Sequence, residues 1–353
     1  MTHEVARRLV ARGDQVEWFS STFPGAAAEE LLDGIHILRE GRQWTVHWHA
    51  FRRYRKELRG RFDAVVDQVN TMPFFTPLWA DIPRFMFIHQ LAREVWWYES
   101  PIPINALGYI SEPWYLRIYR STPVLTVSRS TELDLKGLGF SGPITVVPEG
   151  LERIDVPNVR KEPVPTFLYV GRLAPSKRVS HVLKAFADFR RRSPGKLWIA
   201  GDGPPTHTRN LHSLARRLGV SQDIDFLGRV PDAAKYGLMA RAHAVVLASV
   251  REGWGLVVTE ANSCGTPAVA YDVPGLRDSV VNEQTGILVR PTPEGLAEGM
   301  ARLCSDENVY ATLVTKALIW SSRFSYDLTA DAFRSAIADV VTTEVNNELT
   351  WSR

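Results

Sequence analysis

Two cations stand behind a glycine in Gly171-Arg172-Leu-Ala-Pro-Ser-Lys177. Glycine at the end of a strand lets a ligand approach the backbone closely. Arg172 offers a planar fork that matches phosphate oxygens, and Lys177 offers a point charge. The free amides of a following helix also favour anions. The bland alternative is an exposed arginine and lysine in a βα loop, the commoner fate of such residues. Further on, Glu252-Gly-Trp-Gly-Leu-Val-Val-Thr-Glu260 places seven residues between two glutamates. Glu252 is expected in a loop, Gly253, Trp254 and Gly255 at a helix start, and Glu260 inside the helix. A continuous helix would rise about 12 Å over those eight steps, so the carboxylates reach opposite ends of an extended ligand. Carboxylates accept hydrogen bonds from sugar hydroxyls, and the glycine amides can donate to oxygens between them. Singly, Glu260 reads as a surface helix residue and Glu252 as an acid drawn to a positive helix end. Their combination with Arg172 and Lys177 points to a ligand carrying both phosphate and hydroxyls.

Elements that can position these groups alternate along the second half. Apolar or β-branched runs recur at 166–170, 196–200, 223–227, 244–248, 267–271 and 286–289, and helical periodicity lies between the first five. Short apolar strands alternating with helices indicate a parallel sheet covered on both faces, the doubly wound α/β layout. Helices are expected around 294–304, 308–321 and 327–341. The first half alternates more loosely, with strands at 15–19, 35–39, 63–69, 84–88, 124–127 and 144–147. The proline-rich segment Lys161-Glu-Pro-Val-Pro165 places a domain boundary just before it, near residue 155. The organisation expected is a first domain over 1–155, a second over 156–325, and a helix with a tail over 326–353 that crosses back. Two such domains leave a cleft at the carboxyl ends of their strands, where such folds bind ligands. The opening is unusual: 2–12 reads as an amphipathic helix, with no first strand or glycine-rich turn before it. A variant with a shorter sheet explains this, and so does a start placed too far downstream, the reading favoured here.

The motifs GRLAPSK, IAGDGP, FLGRVPDAAK, the two-glutamate segment, SCGTPAVAYDVPGLRD and TGILV, in that order, resemble the retaining GT-B glycosyltransferases of the group 1 family, which use nucleotide-activated sugars. The resemblance is strong over 168–303 and weaker before it, through THEVARRLVARG, FIHQ and TVSRSTELDL. It implies a GT-B fold: two doubly wound Rossmann-like domains facing across a cleft. It implies that Arg172 and Lys177 hold the donor diphosphate, that Glu252 contacts hydroxyls of the transferred sugar, and that Gly171, Gly253, Trp254, Gly255 and Leu256 belong to the donor site. Glu260 would meet the ribose. Val230, Asp232 and Lys235 would lie near the base, with Gly201 and Gly203 at the end of the next strand. His89 matches a family histidine that faces the reaction centre; a hydrogen-bonded core histidine is the ordinary alternative. The function implied is transfer of a hexose from a nucleoside-diphosphate sugar to a hydroxyl acceptor. The alternatives are an inactive GT-B scaffold or partner subunit, and a GT-B sugar phosphorylase, which would need a phosphate or pyridoxal phosphate site.

Composition sets the outer limits. The chain has 353 residues, and 42 Lys and Arg against 39 Asp and Glu leave a net charge of +3. The charges balance over the first 160 residues, which argues against a nucleic-acid binder. Cys264 and Cys304 alone suggest a reducing, cytoplasmic setting rather than a disulfide framework. No cofactor or metal is expected: Asp223-Ile-Asp225 reads as a strand edge, and His47 with His49 completes no ligand set. The segment 44–61 carries an apolar stripe of Trp44, Trp48, Phe51 and Leu58 among Arg52, Arg53, Arg55, Lys56, Arg59 and Arg61. Peripheral membrane contact is its sharper reading. The weight falls on a domain helix with its stripe on the sheet and its charges in water. Trp96, Trp97, Tyr98, Trp114 and Tyr115 either stack on an acceptor or pack the smaller domain.

Overall fold

The computed structural model describes residues 1–152 and 159–351, so the boundary expected near 155 lies outside the described residues. The first stretch runs α1 (Thr2–Ala11), β1 (Glu17–Ser20), β2 (Glu29–Leu32), β3 (Ile35–Arg39), α2 (Val46–Arg53), β4 (Val65–Val69) and β5 (Arg84–Ile88). Then come α3 (Trp96–Glu99), α4 (Ile104–Leu116), β6 (Val124–Thr126), α5 (Arg129–Gly137) and β7 (Ile144–Val146). The second stretch runs β8 (Thr166–Val170), α6 (Val179–Arg190), β9 (Lys196–Ala200), α7 (Pro205–Arg217), β10 (Ile224–Gly228), α8 (Asp232–Arg241) and β11 (Ala244–Leu247). It ends with α9 (Leu256–Ser263), β12 (Ala268–Tyr271), α10 (Leu276–Ser279), β13 (Gly286–Val289), α11 (Pro293–Leu303), α12 (Glu307–Ser321) and α13 (Tyr326–Trp351). These elements divide into two compact units. The first holds Met1–Leu91, Ser111–Gly150 and the stretch from Ser325; the second holds Ala92–Ile110 and Leu151–Phe324.

In the second unit six parallel strands lie in the order β10-β9-β8-β11-β12-β13. Helices cover the sheet, so its strands bury side chains on both faces, and Phe167, Leu168, Val245 and Val246 are wholly inaccessible. Each such side chain stabilises the fold by roughly 1.5–3 kcal/mol relative to exposure. The strand order reverses at β8 and β11, which are neighbours in the sheet although two strands, β9 and β10, lie between them in sequence. Loops that leave the carboxyl ends of these two strands diverge to either side of the sheet. The proline-rich entry to this unit is anchored through Lys161, whose ammonium donates to the Ala242 carbonyl at 2.7 Å and Thr266 Oγ1 at 2.6 Å. Burial pushes that ammonium down to about 8.

The first unit's strands fall into two sheets. One is parallel, β4-β5-β6-β7, around a core of Val69, Met86, Ile88, Leu116, Tyr119 and Val124. The other is β1-β3-β2, in which β1 and β3 are parallel and β2 is antiparallel. No described strand hydrogen-bonds to both β1 and β4, which leaves the sheets separate. Helix α13 packs on α1, with Arg12 Nε 2.7 Å from Asp331 and Arg334 Nε 2.7 Å from Asp14. Its Thr329 hydroxyl donates to the Pro148 carbonyl at 2.9 Å.

The stripe on α2 faces the other way from the favoured expectation. Val46, Ala50 and, one turn on, Tyr54 are buried, while Trp44, Trp48 and Phe51 are exposed. The physical reason lies in what the inner row gains. Tyr54 stacks on Trp79 at 5.1 Å and donates to Asp81 at 2.5 Å, and the small residues Val46 and Ala50 allow close approach. Bulky indoles four residues apart would hold the helix away.

Candidate active site

The first group of side chains spans the point where the strand order reverses. The loop after β8 carries Gly171, Arg172 and Lys177, and the loop after β11 carries Ser249 and Glu252. A backbone bond from Val250 to the Ser176 carbonyl, 2.9 Å, ties these loops together. Lys177 Nζ donates to Glu252 Oε1 at 2.5 Å, and the buried Ser249 hydroxyl donates to the same oxygen at 2.6 Å. Glu252 Oε2 is left to accept from elsewhere. Arg172 is exposed and has no ion-pair partner among the described residues; its carbonyl is held by the Tyr169 hydroxyl at 2.7 Å. That phenol is buried beside Glu252, and both conditions raise its pKa.

Glycines set the walls. Gly201 adopts φ +147° and packs so closely that an added Cβ would lie 1.8 Å from the Gly171 carbonyl oxygen. At Gly203 a Cβ would lie 2.3 Å from the Leu173 carbonyl oxygen. Backbone bonds from Gly171 to Ala200, Leu173 to Asp202 and Gly201 to Gly228 join the loops after β8, β9 and β10. Gly201 and Gly203 thus pack against the backbone on either side of Arg172.

The second group lies on α8 and α9. Lys235 Nζ donates to Glu260 Oε1 at 2.9 Å and sits 3.2 Å from Asp232, while the Tyr236 hydroxyl donates to the same Glu260 oxygen at 3.3 Å. Burial pulls the Lys235 ammonium down, but the Glu260 carboxylate outweighs it and holds the lysine above its ordinary value. Burial and the same carboxylate push the Tyr236 phenol up to about 12. The two glutamates therefore sit in separate cationic settings. Gly255, in the left-handed region at φ +94°, caps α9, so Glu252 stays in the loop and Glu260 lies inside the helix. Gly253 and Leu256 are partly accessible, as is Val230. Trp254 is not: its ring is buried against Phe324 at 5.3 Å.

In the first unit, His89 ends β5. Its Nδ1 lies 2.8 Å from Glu149 Oε1, and its carbonyl accepts from the Thr131 hydroxyl at 3.0 Å. The carboxylate favours a proton on Nδ1 and leaves Nε2 as an acceptor. The aromatic cluster after His89 divides its tasks. Trp96 packs on Gly108, Tyr98 lies beneath Arg178 at 5.1 Å, and Tyr115 donates to the Thr71 carbonyl at 2.7 Å. Trp97 and Trp114 are exposed. In the second unit Glu99 accepts from the Ser176 amide at 3.4 Å and from its hydroxyl, beside Lys177.

Sequence reasoning missed Ser249, Tyr236, Glu149 and Glu99. Ser249 carried a signal, since it precedes Glu252 by three residues on one loop. Ser249→Ala is expected to lower kcat/KM about tenfold with an unchanged thermal transition, because one hydrogen bond to a charged group is lost. A Ser249→Thr variant should recover most of that loss. Equal activity of the alanine variant and the parent would remove Ser249 from the site. Among the described residues no group of three or more His, Cys, Asp or Glu is placed to hold a metal ion.

Residues 152–319 match the family described as Glycosyl transferases group 1, and residues 1–153 match Glycosyltransferase Family 4. Glycogen synthase of Mycobacterium tuberculosis is 32% identical over 234 residues, covering 64% of this chain and 55% of that protein. D-inositol 3-phosphate glycosyltransferase of Rhodococcus erythropolis is 35% identical over 170 residues, covering 46% of this chain and 38% of that one. The chain thus spans about half the length, or less, of these curated relatives. Among solved structures, sucrose-phosphate synthase from Thermosynechococcus elongatus has a TM-score of 0.75 at 18% identity, covering 100% of this chain and 93% of that chain. Anabaena HepE in complex with UDP-glucose has a TM-score of 0.67 at 18% identity, covering 94% and 99%. The fold is GT-B, with Rossmann-like domains over both halves. The C-terminal half is thus a glycosyl transferases group 1 domain and the N-terminal half a glycosyltransferase family 4 domain, joined in one GT-B glycosyltransferase chain.

Proposed function

We propose that the protein transfers a hexose from a nucleoside-diphosphate sugar to a hydroxyl acceptor, with retention of the anomeric configuration. The observation that carries this reading is the Lys177–Glu252 pair spanning the β8/β11 reversal, with Arg172 on the same loop and without an ion-pair partner among the described residues. Doubly wound folds bind ligands at that position. Breaking the bond between the anomeric carbon and the donor phosphate leaves its electron pair on the diphosphate and positive charge on the sugar ring. Arg172 and Lys177 stabilise the first charge more strongly in the transition state than in the ground state. Glu252, held by Lys177 and Ser249, turns its other oxygen to the sugar hydroxyls. Glu260, braced by Lys235 and Tyr236, takes the ribose hydroxyls. The acceptor oxygen then bonds to the anomeric carbon on the face that the diphosphate leaves, and its proton passes to the leaving phosphate oxygen. His89, oriented by Glu149, belongs to the acceptor side of this reading. No metal is required, because fixed cations supply the charge. The two free thiols fit a cytoplasmic setting.

A thermal-shift screen across nucleoside-diphosphate sugars tests the reading. Uridine donors come first, since HepE is solved with UDP and with UDP-glucose. At about a hundredfold over Kd the preferred donor should add roughly 3 kcal/mol and raise the transition by several degrees. Release of nucleoside diphosphate on adding acceptor separates a transferase from an inactive scaffold, which would bind without turnover. Sugar 1-phosphate formed from glycan and phosphate would favour the phosphorylase instead. No shift with any donor would overturn the proposal.

A further inference from the structure

We infer that the outer face of α2, with the turns at either end, docks the protein on an anionic phospholipid surface. This inference does not rest on the transferase reading. Trp48, Phe51 and Arg52 on α2, Trp44 in the turn before it and Arg55 in the wider turn after it are all exposed, while Val46, Ala50 and Tyr54 are buried. Trp44 is 77% exposed and Trp48 is 58% exposed, a large cost in water for two indoles without a partner to cover them. Leu78, 69% exposed, lies next to Trp79, whose ring meets Phe51 edge-on at 6.3 Å, and it broadens the apolar face.

Charge decides what covers this face. Arg42, Arg52, Arg55 and Lys56 are exposed and have no carboxylate partner among the described residues. The neighbouring acids are already engaged. Glu57 pairs with Arg53 at 3.0 Å, and Asp81 pairs with Arg59 and Tyr54. The surplus is therefore positive and interleaved with rings: the Arg52 guanidinium lies 5.5 Å over Trp48, and that of Arg55 lies 5.9 Å over Phe51. In this arrangement the rings enter the acyl boundary while the guanidinium groups stay at the phosphate level. A protein partner would need a matching acidic apolar surface, whereas an anionic bilayer supplies both features in one plane. Among the described residues no helix is long and apolar enough to cross a membrane, so the contact is peripheral.

Flotation of the full chain with vesicles tests this directly. The protein should float with vesicles of phosphatidylcholine and phosphatidylglycerol, and not with phosphatidylcholine alone. Raising the salt should release it. Each cation near such a surface is worth about fivefold in partition. Arg52→Glu with Arg55→Glu should therefore lower partition more than tenfold, and Trp44→Ser with Trp48→Ser should do so too. Both pairs lie on an exposed face, and an unchanged thermal transition confirms that each variant folds. Absence of flotation, equal flotation on neutral vesicles, or flotation untouched by both pairs would overturn the inference. Binding of a single-stranded oligonucleotide that the variants abolish, without vesicle binding, would reassign the face to a polyanion and overturn it as well.

Discussion

Lys177→Ala is expected to lower kcat/KM for sugar transfer roughly 100- to 1000-fold, the range found when one preorganised charge-stabilising donor is removed. The loss has two sources. The diphosphate loses a cation where negative charge develops, and Glu252 keeps only the Ser249 hydroxyl on its Oε1. Because the interaction strengthens as the bond breaks, the loss should fall mainly on kcat and less on KM. Arg172→Ala should act in the same direction, and the pair should cost less than the sum because both serve one leaving group. Steady-state release of nucleoside diphosphate, with the thermal transition as a folding check, measures the effect. Turnover at the parent's level in both variants would break the link between these cations and the chemistry.

Gly201→Ala should be severe for a different reason. A methyl group there would lie 1.8 Å from the Gly171 carbonyl oxygen, far inside van der Waals contact, and the backbone sits at φ +147°, where side chains are rarely accommodated. The nearest atoms are all Gly171 backbone rather than a flexible side-chain end, so the loops after β8 and β9 must part. A cost of roughly 3 kcal/mol or more follows, with a fall of about 5–10 °C in the melting temperature. Donor-induced stabilisation should vanish with it, because Arg172 stands on the displaced loop. Gly219→Ala offers a control, since its φ is also positive but nothing lies within 4 Å of its Cβ position. It should cost about 1 kcal/mol and leave donor binding intact. Melting curves of equal midpoint for the Gly201 and Gly219 variants would contradict the close-approach argument.

Some strands were harder to read than others. The four residues Glu29-Glu-Leu-Leu32 are all exposed, so β2 lacks the apolar run or alternation that marked its neighbours. Its signal was the turn. Asp33 and Gly34 both have positive φ and join β2 to β3 by a two-residue hairpin, the geometry that Asp-Gly favours. The face of α2 was ambiguous for a related reason. Two rows of apolar residues run along it, and periodicity reports that a row exists without saying which one is covered. The larger row dominates the pattern, and the smaller one packs.

From the amino-acid order alone, the parallel sheet of the second half was determined, because near-continuous apolar runs bounded by glycine can be satisfied only between two covering layers. So were the chemical types at the site: a fork and a point charge after one strand, two carboxylates around a glycine pair after another. Pairing was decided only in three dimensions. Lys177 and Glu252 stand 75 residues apart, and β8 and β11 become neighbours only when the sheet assembles. The same assembly put Ser249 and Lys177 on one oxygen of Glu252, drew Tyr236 to Glu260 and Glu149 to His89, and turned the Trp254 ring away. Short-range pattern reports what one segment must bury. Which charged group compensates another depends on distances between segments, and those exist only after the chain has packed.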